Sequence, residues 1–283
     1  ITDLLPHLSA DQNERKLNEG VKGEELNIVV GSLPYADKEV KDRVKLLALK
    51  LLNGKYGITE RDFITAELEA VPAFKAKDVG LDRGLIGAYG HDDRVDAYPA
   101  LIAEMETKLP VYTTVCVLTD KEEIGSEGVT GLNSMYVFHF VQQLCKAQGA
   151  DAILCFQNSK CLSADVTAAF DPTFPSAFEA QNSTFAGKGV AIAKYTGSRG
   201  KGGANDASAE LVSYAGAVWQ IGELGKVDQG GGGTVAKYVA SHNIDTMDVG
   251  VPVLSMHSPF ELVAKIDVYM AYKAFKAFND SAE

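Results

Sequence analysis

The chain is poor in cysteine and in positive charge, and each shortage removes a class of function. Its four cysteines (Cys116, Cys145, Cys155 and Cys161) show no C-x-x-C spacing. That pattern points away from a structural zinc site or a disulfide frame and towards thiols kept reduced, as in the cytoplasm. Lys plus Arg number 27 against 38 Asp plus Glu, a net charge of −11, with a sequence pI of about 5.0. A nucleic-acid binder would carry a basic patch, so nucleic acid is not an expected partner. No apolar run approaches the roughly 20 residues needed to cross a bilayer, and no membrane span is expected. Gly197-Ser-Arg-Gly-Lys201-Gly and Gly230-Gly-Gly-Gly233-Thr234 both lack the Lys-Ser/Thr of a P-loop, which disfavours nucleotide binding. Gly125-Ser126-Glu127-Gly128 is not a nucleophile elbow, which disfavours a serine hydrolase.

What is present suits a globular protein with an ample core: 283 residues, 46% hydrophobic and 23% charged. Residues 24 to 33 (EELNIVVGSL) read as a strand. Val40, Val44, Leu47, Ala48 and Leu51 follow at helical spacing, with Asn53-Gly54 as the stop. Thr59-x-x-Asp62 has the form of a capping box, although FITAELEAV after it alternates like a strand. The turn-rich Val79–Gly84 suggests a domain boundary near residue 83, giving domains over 1–83 and 84–283. Beyond it strands are expected near 111–118, 151–156, 189–195, 217–224 and 246–249. Helices are expected after Asp93, near 132–148, near 207–216, after Gly233-Thr234 and near 260–278. This alternation predicts an α/β fold, a mixed sheet with helices on both faces and ligand sites at the strand ends.

Four acidic side chains and a histidine fall at such ends. Asp92 follows LIGAY, the pair Glu122-Glu123 follows TTVCVL, Asp165 lies in Ser-Ala-Asp-Val, and His257 follows VPVLSM. Alone, Glu-Glu reads as a solvated surface pair and Asp-Asp-Arg as a helix cap. Crowded together, carboxylates repel one another unless cations lie between them, and oxygen and imidazole donors suit divalent metals. Neighbours in an extended strand point to opposite faces, so Glu122 and Glu123 can both reach one site only if the chain turns there, and Gly125 suits that turn. The other histidines read differently. His139, in the apolar MYVFHFV, reads as a core residue, and His242 as a helix cap. His91 is left open between lining the site and standing apart from it.

Five segments in order (GAYGHDDR, DKEEIGS-x-G-x-TG, SADV-x-AA, EL-G-K-x-x-x-GGGGTVAK and VGVPVLSMHSP) resemble the aspartyl aminopeptidase family of two-metal metallopeptidases across essentially the whole chain. The resemblance implies that Asp92 bridges two divalent ions, zinc with cobalt or manganese as alternatives. Glu123 and His257 then complete one ion's shell and Asp165 the other's, with Glu122 as general base. It further implies that Lys194, which is otherwise a helix-flanking surface lysine, contacts an acidic substrate side chain. His7, in Pro-His-Leu, either reaches a neighbouring subunit's site or is a plain surface residue. Gly232 and Gly233 would offer backbone N–H groups to a substrate carboxylate or oxyanion. Residues 1–83 would form a smaller α+β lid or dimerisation domain inserted in the catalytic one. A peptide substrate, a cytoplasmic setting and a homo-oligomer, with a dodecamer built from dimers as one form, complete the expectation. Broad neutral specificity and a non-catalytic metal- or peptide-binding scaffold are the alternatives.

One family feature is missing. The family's fifth metal-binding residue is the His of a His-x-Asp segment, and no His-x-Asp occurs before residue 83. The chain also opens at Ile1 without a methionine. A longer natural polypeptide supplying that histidine is therefore expected.

Overall fold

The computed structural model describes residues 1–193, 217–226, 228–232 and 235–281. It divides into two compact units, Ile1–Ala70 and Val71–Glu283. In the first unit, α1 (Ala10–Asn13) and α2 (Arg43–Tyr56) are the α-helices. The helix expected over 38–53 starts later and runs past Asn53-Gly54. It ends at Gly57, whose left-handed φ of 72° lets its N–H donate to the Asn53 carbonyl at 2.8 Å. The Thr59 N–H and hydroxyl both donate to the Asp62 carboxylate, at 2.7 and 2.8 Å, and open a short 3-10 helix over Glu60–Ile64. No strand forms over 24–33 or in FITAELEAV. Their β-branched residues find no partner strand, and Val29 and Val30 stand exposed.

The second unit carries the expected mixed α/β architecture, divided between two sheets. One has five strands: β1 (Lys77–Val79), β2 (Leu85–Ala88), β4 (Thr167–Ala168), β8 (Pro252–Leu254) and β9 (Glu261–Ala264), in the order β1-β2-β9-β8-β4. The other has four: β3 (Lys160–Ser163), β5 (Val190–Ala193), β6 (Trp219–Gly222) and β7 (Asp245–Gly250), in the order β3-β7-β5-β6. Because β1 pairs with β2, residues on the N-terminal side of position 83 belong to this unit's sheet. Only Val251 separates β7 from β8, so one stretch of chain serves both sheets. Met247, Val249, Val251 and Val253 along it are all 1% exposed or less and form the centre of the core with Val190, Ile192 and Val263. A near-continuous buried run of this kind is what a strand covered on both faces requires.

Three helices complete the elements that position the site. α3 (His91–Glu106) packs along α7 (Lys265–Asp280), where Ala103, Ala271 and Ala274 allow close approach beside Val95 and Phe275. α6 (Ala236–Ala240) packs on β7. α4 (Tyr136–Gln148) forms close to its expected place. Residues 151–156, expected as a strand, are instead α5 (Ala152–Gln157). There Asp151 Oδ1 accepts the Ile153 and Leu154 N–H groups at 2.8 and 3.0 Å and caps the first turn. Residues 261–264, expected within the last helix, form β9, and the helix starts at Lys265. Residues 111–118 form no strand, because no described segment pairs with them. His139 is exposed on α4 rather than in the core, whereas His242 stacks on the buried Phe138 at 3.5 Å between ring centroids. The helix expected near 207–216 lies outside the described residues. Among the described residues, no helix is long and apolar enough to cross a membrane.

Candidate metal centre

Asp92 sits where β2 gives way to α3, with φ −76° and ψ 106°, outside helical values although inside the helix bounds. Its peptide to Asp93 is cis. Glu122 and Glu123 occupy a single 3-10 turn, Glu122–Ile124, bracketed by Lys121 (φ 66°) and Gly125 (φ 98°). This turn brings both carboxyls to one cavity, and Gly125 supplies the backbone conformation that a side chain would resist. The Tyr238 hydroxyl of α6 donates to the Gly125 carbonyl at 3.1 Å and ties the turn in place. Asp165 lies between β3 and β4. His257 follows β8 with a φ of 63°. Three of the five candidates therefore stand beside strands, and the Glu pair stands on a 3-10 turn away from them.

Asp92, Glu122, Glu123, Asp165 and His257 line one cavity of about 390 Å³, with Gly232, Lys237 and Tyr238 among its other walls. His257 Nε2 lies 3.0 Å from Asp92 Oδ2 and 3.2 Å from Glu123 Oε1. Asp92, Glu123 and His257 present ligand atoms all within 4.8 Å of one another, and so do Asp92, Asp93 and Asp165. Asp92 is common to both groups, and Glu122 belongs to neither. Asp93 was not among the sequence candidates; the only signal for it was its place as the second Asp of the pair. Its Oδ1 accepts the Val166 N–H at 3.1 Å, which fixes it beside Asp165.

The electrostatics are those of crowded, partly buried acids. Burial first, then the charges of Asp93 and Glu123, pushes Asp92 up to about 8. Burial followed by Asp93 and Glu122 pushes Asp165 up to about 10. Asp93 and Glu122 are raised as well, each chiefly by burial. Divalent cations would relieve this repulsion, and the carboxylate and imidazole donors match borderline metals such as zinc.

The remaining candidates fare differently. His91 turns away, its Nε2 3.2 Å from the Ile86 carbonyl, and is not among the cavity's lining residues. His7 is exposed in the first unit. Lys194 and Gly233 lie outside the described residues. The glycine run precedes a helix of only five residues, α6, too short to gather much dipole at its start.

A mixed α/β scaffold with carboxylates and a histidine gathered in one cavity presents the donor set that a divalent cation takes, as in metallohydrolases. The description aminopeptidase I zinc metalloprotease (M18) matches residues 1–279, and the chain belongs to that family. It is 48% identical over 293 residues to a probable M18 family aminopeptidase 1 of Borrelia garinii, covering 98% of this chain and 64% of that protein. The crystal structure of aminopeptidase I from Clostridium acetobutylicum superposes with a TM-score of 0.90 at 44% identity, covering 99% of this chain and 63% of that one. The mApe1 dodecamer from yeast shares the fold, with a TM-score of 0.67 at 23% identity over 84% of this chain and 55% of that one. The chain thus spans under two thirds of the length of the curated relatives it matches.

Proposed function

We propose that this chain carries the reaction centre of a zinc aminopeptidase that removes the N-terminal residue of peptides. The observation that carries this reading is the sharing of Asp92 between two groups of ligand atoms, with Glu122 lining the same cavity outside both. Asp92 would hold two divalent ions, one with Glu123 and His257 and one with Asp165 and Asp93. When bound, such ions polarise a carbonyl and lower the pKa of water. Glu122, raised chiefly by burial and then by its acidic neighbours, is suited to take a proton from water and return it to the leaving amine. Gly232 lines the cavity where a substrate backbone would lie.

A preference for acidic N-terminal residues is the finer proposal. Lys194 was its sequence candidate, and Lys237 places a described cation in the cavity wall. Residues 1–83 as an inserted lid or dimerisation domain, assembly into a homo-oligomer and a cytoplasmic setting belong to the same reading.

Glu122→Gln tests the central claim. The variant should keep its zinc and lose a factor on the order of 10²–10⁴ in kcat, because the amide cannot accept the proton. Zinc content and turnover of aspartyl- and leucyl-nitroanilides would be measured together. Near-full kcat at saturating zinc would remove Glu122 from the mechanism. Faster turnover of the leucyl substrate would remove the acidic preference alone.

A further inference from the structure

Glu261 has no part in the chemistry above, yet it is a buried carboxylate joined to two members of the site. It opens β9 opposite Ala88 of β2 and is 2% exposed. Its Oε2 accepts the Asp92 N–H at 3.2 Å and its Oε1 accepts the His257 N–H at 2.8 Å. Those two residues come from distant parts of the chain, and their side chains meet at 3.0 Å. The His257 side chain is 63% exposed, so packing around its ring does little to fix it. Its backbone also holds a φ of 63°, a region that residues other than glycine seldom keep without support. A hydrogen bond from its own N–H to a buried, sheet-anchored carboxylate supplies that support.

We propose that Glu261 is a positioning residue for the cation site formed by Asp92, Glu123 and His257. Its two oxygens set the separation of the Asp92 and His257 backbones, and so the bite of the two ligands, without touching the cation. The inference rests on reading that group as a metal site. Outer partners of metal ligands characteristically fix ligand orientation, and their loss lowers metal affinity about 10–100-fold. A glutamine at this position offers one acceptor and would turn its NH₂ towards the second backbone N–H.

Asp267 provides an internal control of the same kind. It is fully buried and accepts the Gly187 and Gly189 N–H groups at 2.6 and 2.7 Å, but neither donor belongs to the site. Zinc affinity by competition with a chromophoric chelator, and Tm without zinc, would be measured for the whole chain, Glu261→Gln and Asp267→Asn. Glu261→Gln should bind zinc about 10–100-fold more weakly. Asp267→Asn should lower Tm and leave the affinity unchanged. Wild-type protein that binds no zinc would overturn the metal-site reading itself. Wild-type binding matched by Glu261→Gln, or an equal loss in Asp267→Asn, would overturn the positioning role and leave the site standing. Should Glu261→Gln fail to fold, amide exchange of the zinc-free wild type decides. Protected Asp92 and His257 amides are expected, and exchange of either at the rate of an open loop refutes the clamp.

Discussion

Asp96 shows burial and charge in conflict one turn of α3 beyond the site. It is fully buried; its Oδ2 accepts the Val251 N–H at 3.2 Å, and its Oδ1 has no partner among the described residues. Burial first, then the charge of Asp93, holds its carboxyl well above the usual range. The unfolded carboxyl releases its proton near pH 4, at about 3.9, while the folded one keeps it to higher pH. The folded state therefore binds more protons above that point, and stability falls as pH rises through the window. Asp96→Asn keeps the acceptor for Val251 and removes the titration. Its Tm advantage over wild type should be smallest near pH 4 and widen towards pH 9 in thermal scans. A pH-independent difference would show that Asp96 titrates like an exposed acid. Within the site, Asp92→Ala should lower zinc content more than Asp165→Ala or His257→Ala, because Asp92 alone belongs to both ligand groups. Elemental analysis after dialysis measures this, and equal losses would argue for a single-ion site. Of the five sequence candidates that meet in the cavity, Asp92, Asp165 and His257 are legible as donors at strand ends, and Glu122 and Glu123 as an acidic pair just before the glycine that lets the chain turn. Asp93 passed for a capping residue, and Glu261 acts through backbone N–H groups, which no side-chain pattern reports.

At the scale of the element, the legible parts were those whose signal is local. The alternation that marks β5, β7 and β8 and the amphipathic stripe of α4 are written in their own residues. α5 was misread because Ile153, Leu154, Cys155 and Phe156 form an apolar run too short to show its period, and Asp151 decides the matter as a cap. Asp151→Ala should cost about 0.5–2 kcal/mol in urea unfolding. A change within error would mean that tertiary packing, not the cap, selects the helix. Residues 24–33 and 111–118 failed for the opposite reason. A strand is a property of two segments, and β propensity in one of them does not create the other. The expected boundary near residue 83 rests on turn residues, and in the structure that turn joins β1 to β2 as a hairpin within one sheet.

For the second unit as a whole, residues 245–254 act as a splice between two hydrogen-bonded ladders. Val249 pairs into one sheet and Val253 into the other, four residues apart on a continuous buried backbone. Gly250 meets the Asp165 carbonyl so closely that an added Cβ would stand 1.8 Å from its oxygen, so the splice and a candidate ligand loop touch directly. Opening either ladder at β7 or β8 would disturb a backbone shared with the other. Breathing of the unit should then be all-or-none: amides of Met247, Val249 and Val253 should exchange with a common, large opening free energy. Zinc should raise all three together, since His257 follows the splice closely in the chain and the Asp165 loop abuts Gly250 within it. Exchange at Val253 through a small opening that leaves Val249 protected would show two independent folding units where the chain path suggests one.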